Sequence, residues 1–459
     1  MSKIQSINNF KNIFFIGVAG TGMSAVAQYL SGIGKSVSGS DRFFVLGKIN
    51  EAQKKLEAEN IQCFVQDGSG INEHIDLIVV STAIEDSVPE VQKAKQFNIP
   101  ILKRSEVLAL IALSKKTIAV GGTSGKSTTS AMIFDILQAA NLQPSIISGA
   151  GLTKLIKQGK IGNAFVGNGD WLVIEADESD GSIIQYHSEI GLLLNIDKDH
   201  KDVETLVHLF EVFKNNSKKF IVNQSHYLAS KLSINSKYDF SIHGEEAGIM
   251  AIDFLQKGTE IHFKIKETNF HLQLLGKHNM ENAVAAVAVC NAIGVNLSTA
   301  SNALKNYEGI YRRHQIIGIK NGITLIDDYA HNPIKCAMSI KACQPLSSKI
   351  IAWFQPHGYG PTRFLKDDFI TEISKALRPN DEIWMSEIYY AGGTAVKDIS
   401  ANDLIMGIKQ KGKNAFFVKD RNQFARSIKP NLKNEDVILL MGARDPSLDY
   451  FAAEIWQNL

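Results

Sequence analysis

The segment Gly122-Thr123-Ser124-Gly125-Lys126-Ser127-Thr128 constrains this chain more than any other. It stands between an apolar strand pattern, Thr117–Gly121, and a helical pattern beginning near Lys126. Strand, glycine turn and helix N-terminus in that order specify a layered α/β domain with the turn at the carboxyl edge of a sheet. Backbone N–H groups of such a turn wrap phosphate oxygens, Lys126 neutralises the β- and γ-phosphates, and a hydroxyl from Ser127 or Thr128 reaches a divalent cation. The turn is one residue shorter than the GxxxxGK[ST] pattern, because Val120 occupies the place of its first glycine. The expected ligand is ATP and the expected ion Mg2+.

The rest of the chain alternates short apolar runs with longer helical patterns, which predicts an α/β protein with mainly parallel sheets. Its 459 residues exceed one ordinary core. Strands are expected at Asn12–Gly17, Asp76–Ser81 and Ile99–Leu102 in a first unit, which ends near the polar break Ser114–Lys116. A second unit holds Thr117–Gly121, Trp171–Ala176, Ile190–Ile196 and Phe220–Asn223, then hairpin-like alternation, then helices over Asn279–Ile293 and Leu297–Asn306. After a basic turn at Tyr311–His314, a third series has strands near Ile323–Asp327, Lys349–Phe354, Glu382–Ser386 and Val437–Met441. The expected domains are 1–113, 114–309 and 310–459.

Two further loops carry chemistry. Gly17-Val-Ala-Gly20-Thr-Gly22 joins the first strand to its helix, a place where free amides favour phosphate. Asp41, in SGSD, supplies a carboxylate suited to a ribose or base. The spacing is GxxGxG rather than the GxGxxG of dinucleotide enzymes, which argues against a dehydrogenase. In the second unit, Glu175-Ala-Asp177-Glu178-Ser-Asp180 and Asp197-Lys-Asp199-His200 each follow a strand. Carboxyl ends of strands face the ligand crevice, and hard oxygens with one His nitrogen suit Mg2+.

Charge and cysteine usage exclude other classes. Lys plus Arg total 49 against 47 Asp plus Glu, so no long-range field draws nucleic acid or an acidic membrane. The four cysteines have no CxxC spacing, which fits a reducing compartment. No run approaches the roughly 18 apolar residues that span a bilayer. A cytoplasmic protein without stable membrane insertion is expected, as a monomer or homodimer.

Taken in order, the motifs GxxGxGMS with SGSD, GTxGKSTT, EADESD, NIxxDH, GKHNxxNA, RRH, DDYAHNP, FQPH and MGARD resemble the Mur ligases over essentially the full length. Within that family the chain is most similar to the branch joining L-alanine to UDP-N-acetylmuramate. The resemblance implies three domains: a Rossmann-like N-terminal domain for the UDP-sugar, a central P-loop ATPase domain, and a Rossmann-like C-terminal domain for the amine acceptor. It implies UDP-sugar contacts at Gly20, Gly22, Met23, Ser40 and Asp41. ATP contacts fall at Gly122–Thr128, Asn279, Asn282, Arg313 and Asp328. The metal ligands are Ser127, Glu175 and His200; Lys126, His200 and His331 carry catalysis, with His331 beside the transferred phosphate. His357 and Arg363 fall to the acceptor, and Arg444, an arginine that branch lacks, is a further candidate for its carboxylate. The implied reaction activates the sugar-acid carboxylate as an acyl phosphate, with domain closure near Lys116 and Gly309 excluding water.

The chain also departs from that branch. Ser124 stands where its GTHGKT has His, Ser127 where it has Thr, and Gln315 where an acid is usual. After His357 the branch continues with an Arg-rich RYTRTR stretch, whereas this chain reads Gly358-Tyr359-Gly360-Pro361-Thr362-Arg363. Glycine cannot form the bidentate carboxylate contact of an Arg. Arg444 is an added arginine. These changes leave open a sister ligase for another amino acid or a recycled peptide, and a non-catalytic binder of UDP-sugar and ATP.

Overall fold

A computed structural model describes residues 6–197, 201–244, 246–390, 392 and 396–459. Near-continuous apolar strands pair in parallel because helices cover both faces. The first sheet comprises β1 (Asn12–Ile16), β2 (Ser36–Asp41), β3 (Ile61–Val65), β4 (Leu77–Val80) and β5 (Ile101–Lys103), in the order β3-β2-β1-β4-β5. All its pairings are parallel. The order reverses beside β1, so the glycine turn leaving β1 opens at a topological switch point.

The second sheet comprises β6 (Lys116–Gly121), β7 (Ser145–Ile147), β8 (Ala164–Phe165), β9 (Trp171–Glu175), β10 (Ser188–Leu193) and β11 (Ser217–Val222). Its order is β11-β10-β6-β9-β7-β8, parallel except for the β7–β8 edge. β6 lies between β10 and β9, so the phosphate loop at its end is flanked by the loops that follow those two strands. A third sheet follows: β12 (Phe240–Ser241), β13 (Ile249–Lys257), β14 (Glu260–Ile265) and β15 (Thr268–Leu272). One apolar core, including Phe15, Val26, Leu108, Leu172, Ile174 and Phe210, runs through the first two sheets.

The fourth sheet comprises β16 (Gln315–Lys320), β17 (Ile323–Asp328), β18 (Ile350–Phe354), β19 (Glu382–Met385), β20 (Asn414–Phe417) and β21 (Val437–Met441). Its order is β16-β17-β21-β18-β19-β20, with only β16 antiparallel. Cores on both faces enclose it, one around Ile340, Phe354 and Ile405, the other around Trp353, Phe424 and Phe451.

Two compact units result. The first is Met1–Phe254, His262–Leu272 and His278–Ile310; the second is Leu255–Ile261, Gln273–Lys277 and Tyr311–Leu459. Several strand ends differ from the sequence expectation. β10 spans Ser188–Leu193 rather than Ile190–Ile196, and β9 stops at Glu175 rather than Ala176. β16 and β20 had no counterpart in the sequence reading.

Candidate active site

β6 delivers the chain to Gly122 (φ +136°) and Gly125 (φ +86°), and the helix Lys126–Ala139 starts directly after. Gly125 is required on two counts. Its φ lies in the left-handed region, and a Cβ there would collide with the Asn282 side-chain oxygen. No side chain caps this helix, so its first amides stay available to an anion.

Asn195, just beyond β10, holds the turn. Its Oδ1 accepts from Thr123 Oγ1 and from the Ser124 amide, both at 2.8 Å, and its Nδ2 donates to the Ser124 carbonyl at 3.1 Å. In the sequence Asn195 stands as the first letter of NIxxDH, but no role was assigned to it, because its partners lie 71 and 72 residues away.

Ser127 Oγ donates to Glu175 Oε2 at 2.9 Å, and Glu175 Oε1 accepts from Ser148 Oγ at 2.8 Å and the Gly149 amide at 2.6 Å. A hydroxyl and a fixed carboxylate are hard oxygen donors. They fit Mg2+, which binds through one or two protein ligands and fills its octahedron with water and phosphate. Among the described residues no group of three or more His, Cys, Asp or Glu is placed to hold a metal. His200 lies outside the described residues.

Lys126 Nζ donates to the Gly122 carbonyl and to Glu178 Oε2, both at 2.7 Å. Burial pushes the Glu178 carboxyl up despite this neighbour. Burial also raises Asp177, but Lys126, the Ser179 hydrogen bonds and Arg104 outweigh it and hold Asp177 below the usual carboxylate range. Gly22, Arg104, Lys126, Ser148, Glu175 and Asp177 line one cleft. Arg104, which begins the helix after β5, lies 3.5 Å from Asp180, and a Cβ at Gly22 would stand 3.1 Å from its Cδ. The loops of the first two sheets therefore meet at the phosphate loop.

The remaining N-terminal residues act mainly to shape the turn. Asp41 is buried; its Oδ2 accepts from the Ala19 amide at 3.0 Å and its Oδ1 from the Phe43 amide at 3.1 Å. The Gly17 and Val18 amides bond to the Ser40 carbonyl, and Gly20 opens the helix Thr21–Gly32. Met23 is a core side chain, and Ser40 Oγ is buried with no partner among the described residues. Asn279 and Asn282 are buried too, on the helix Lys277–Ala292. Asn282 Nδ2 donates to Asn279 Oδ1 at 3.3 Å, and Asn282 Oδ1 accepts from Thr129 Oγ1 at 3.3 Å. This pair packs the helix onto the base of the phosphate loop. Thr128 presents its carbonyl to the Tyr307 hydroxyl at 3.5 Å.

In the second unit, the loops after β17, β21 and β18 lie at the carboxyl ends of three neighbouring strands. Arg312, rather than Arg313, turns inward. It donates from Nε to Asp327 Oδ2 at 2.8 Å and from Nη2 to Asp327 Oδ1 at 3.3 Å, and also to the Gly442 carbonyl at 3.0 Å. Arg313 lies over the Tyr329 ring at 5.1 Å. Asp328 accepts from the His314 amide at 3.2 Å, with the His314 ring 3.7 Å away. Burial pushes Asp328 up, but His314 and Arg313 outweigh it and hold it below the ordinary range.

His331 Nδ1 lies 2.9 Å from the Tyr329 carbonyl. A carbonyl only accepts, so Nδ1 carries the proton and Nε2 is left as an acceptor. Burial holds the ring neutral, with its pKa lowered to about 4. His357, 5.8 Å away between ring centroids, is also lowered to about 4, by burial first and then by Arg444. Its buried Nδ1 has no partner among the described residues. Arg363 bonds to the Val396 carbonyl and to Asp398 Oδ1. Arg444 is exposed.

Three family models match the chain: the Mur ligase family catalytic domain over residues 12–116, the Mur ligase middle domain over 120–290, and the Mur ligase glutamate ligase domain over 312–444. The chain is 34% identical to UDP-N-acetylmuramate–L-alanine ligase of Desulforapulum autotrophicum, covering 95% of this chain and 96% of that one. It is 33% identical to the enzyme of the same name from Carboxydothermus hydrogenoformans, covering 96% and 95%. The crystal structure of UDP-N-acetylmuramate-alanine ligase from Thermotoga maritima superposes with a TM-score of 0.79 at 25% identity, covering 97% of this chain and 98% of that one.

Proposed function

Because the chain belongs to the Mur ligase family, we infer that it is an ATP-dependent ligase joining L-alanine to the carboxylate of UDP-N-acetylmuramate. This is a step in making peptidoglycan precursors. The observation that carries the catalytic half is the phosphate loop, with Lys126 at the helix start and Ser127 Oγ 2.9 Å from Glu175.

A carboxylate resists attack by an amine because its leaving group would be oxide. A carboxylate oxygen therefore attacks the γ-phosphorus of ATP, the bond to the β-phosphate oxygen breaks, and ADP leaves. The amine then attacks the acyl carbon, a tetrahedral intermediate collapses, phosphate leaves, and the amine gives up a proton. Such transfers depend on positioning and charge stabilisation more than on covalent help from the protein. The amides after Gly122 seat the phosphates. Lys126 exchanges its bond to Glu178 for phosphate oxygens, keeping its position through the Gly122 carbonyl. Mg2+, held by Ser127 and Glu175, would supply further neutralisation of the phosphate oxygens.

The N-terminal glycine turn takes the UDP moiety, with Gly20 and Gly22 leaving room for it and Asp41 fixing its shape. Asn279, Asn282, Arg313 and Asp328 remain candidates for the nucleotide, and His357 for the acceptor. The reaction belongs in the cytoplasm, where ATP and UDP-sugars are made. Among the described residues no helix is long and apolar enough to cross a membrane. The test is ADP release with UDP-N-acetylmuramate and a panel of amino acids and short peptides. L-Alanine should give the highest kcat/KM; preference for another acceptor would assign the chain to a sister ligase, and no turnover with any would overturn the reading.

A further inference from the structure

Four arginines of the second unit are held by acids. Arg312 is paired with Asp327, Arg378 with Asp381, Arg421 with Asp445 and Arg363 with Asp398. The acid adjacent to Arg444, Asp445, is taken by Arg421 at 2.6 Å and by the Ser447 amide at 2.9 Å. Arg444 is exposed and has no ion-pair partner among the described residues.

It follows β21, and His357 follows the neighbouring β18; the two strand ends are tied by the Gln355 amide donating to the Met441 carbonyl at 3.1 Å. The Arg444 charge reaches His357, and His357 stands 5.8 Å from His331, which follows β17. An unpaired guanidinium thus acts on His357, whose ring neighbours that of His331, at the end of the sheet where ligands of such folds bind. Two positions just after His357 in the chain cannot take this part. Gly358 has φ +73° and no side chain, and Arg363 is occupied.

We propose that Arg444 holds the carboxylate of the amino-acid acceptor, with the His357 and His331 rings lining the side on which its amine lies. A guanidinium binds a carboxylate through two parallel N–H bonds. A reactive amine must be uncharged, and the neutral His331 ring keeps an acceptor, Nε2, for one of its N–H groups without adding a repelling charge.

This rests on the ligase reading, so the experiment separates the two. Wild type and Arg444→Ala are assayed for ADP release with UDP-N-acetylmuramate and either L-alanine or L-alaninamide, which lacks the carboxylate. Arg444→Ala should lower kcat/KM for L-alanine at least about tenfold, mainly through KM, and leave that for L-alaninamide within about twofold. Arg444→Lys should recover part of the loss. An equal fall for both acceptors, or no fall for L-alanine, overturns the role of Arg444 while the ligase reading stands. Wild type inactive with every amino acid offered overturns the ligase reading itself.

Discussion

At the scale of single residues, the site depends on a few charges with fixed partners. Lys126→Ala should lower turnover by at least about 10²–10³, the cost of losing one preorganised contact to transferring charge. It also strands Glu178, whose side chain is only 4% exposed, without its cation. The single variant should therefore lose stability, whereas Lys126→Ala with Glu178→Gln should regain it and stay inactive. Thermal midpoints and ADP release on both proteins check this; restored activity in the double variant would contradict the role of Lys126. Asn195→Ala should raise the KM for ATP by about tenfold, because three hydrogen bonds that set the loop disappear together. Lys126 and Ser127 were legible in the sequence because strand, turn and helix start are contiguous. The role of Asn195 was not, although the residue opens the NIxxDH motif, since that role arises only when β10 pairs beside β6.

At the scale of elements, turn geometry explains one departure from the alanine-adding branch. Gly358 lies in the left-handed region at φ +73°, opening the helix Tyr359–Phe364, and a Cβ there would lie 3.3 Å from the Pro361 Cδ. An arginine on this backbone would be strained, so the lost side chain and the local fold agree. Gly358→Ala should lower stability by about 1–2 kcal/mol, measured by denaturant unfolding. The edge strands show why part of the fold escaped the sequence. β16 reads QIIGIK, and its Gly318 is explained by the Trp456 ring, which leaves no room for a Cβ. That contact joins residues far apart in the chain. β20 has only four residues, too few for a period to register.

At the scale of the whole molecule, the two compact units should respond to different conditions. ATP binding to the phosphate loop should raise the unfolding transition of the first unit, by about 2.7 kcal/mol at a hundred times Kd. Differential scanning calorimetry with and without ATP reads this. Acid should act on the second unit. His331 and His357 are lowered to about 4 from an ordinary 6.5, so the unfolded chain binds more protons between those values. Their contribution is present above about pH 6.5 and is lost as pH falls toward 4, on the order of 2–3 kcal/mol for His331 and less for the more solvent-screened His357. His331→Gln with His357→Gln should flatten that acid dependence; an unchanged slope would contradict the neutral assignment.

If this chain spends ATP to join an amino acid to a UDP-sugar acid, ADP and the amide product must appear together. Purified protein is incubated with ATP, Mg2+, UDP-N-acetylmuramate and L-alanine, with ADP and the UDP-linked product quantified together by mass spectrometry. One ADP is expected for each UDP-N-acetylmuramoyl-L-alanine formed, with no product when any substrate is omitted, and neither ADP nor product above background with Lys126→Ala. ADP release that continues in Lys126→Ala, or ATP consumption without amide formation, would contradict the ligase reading.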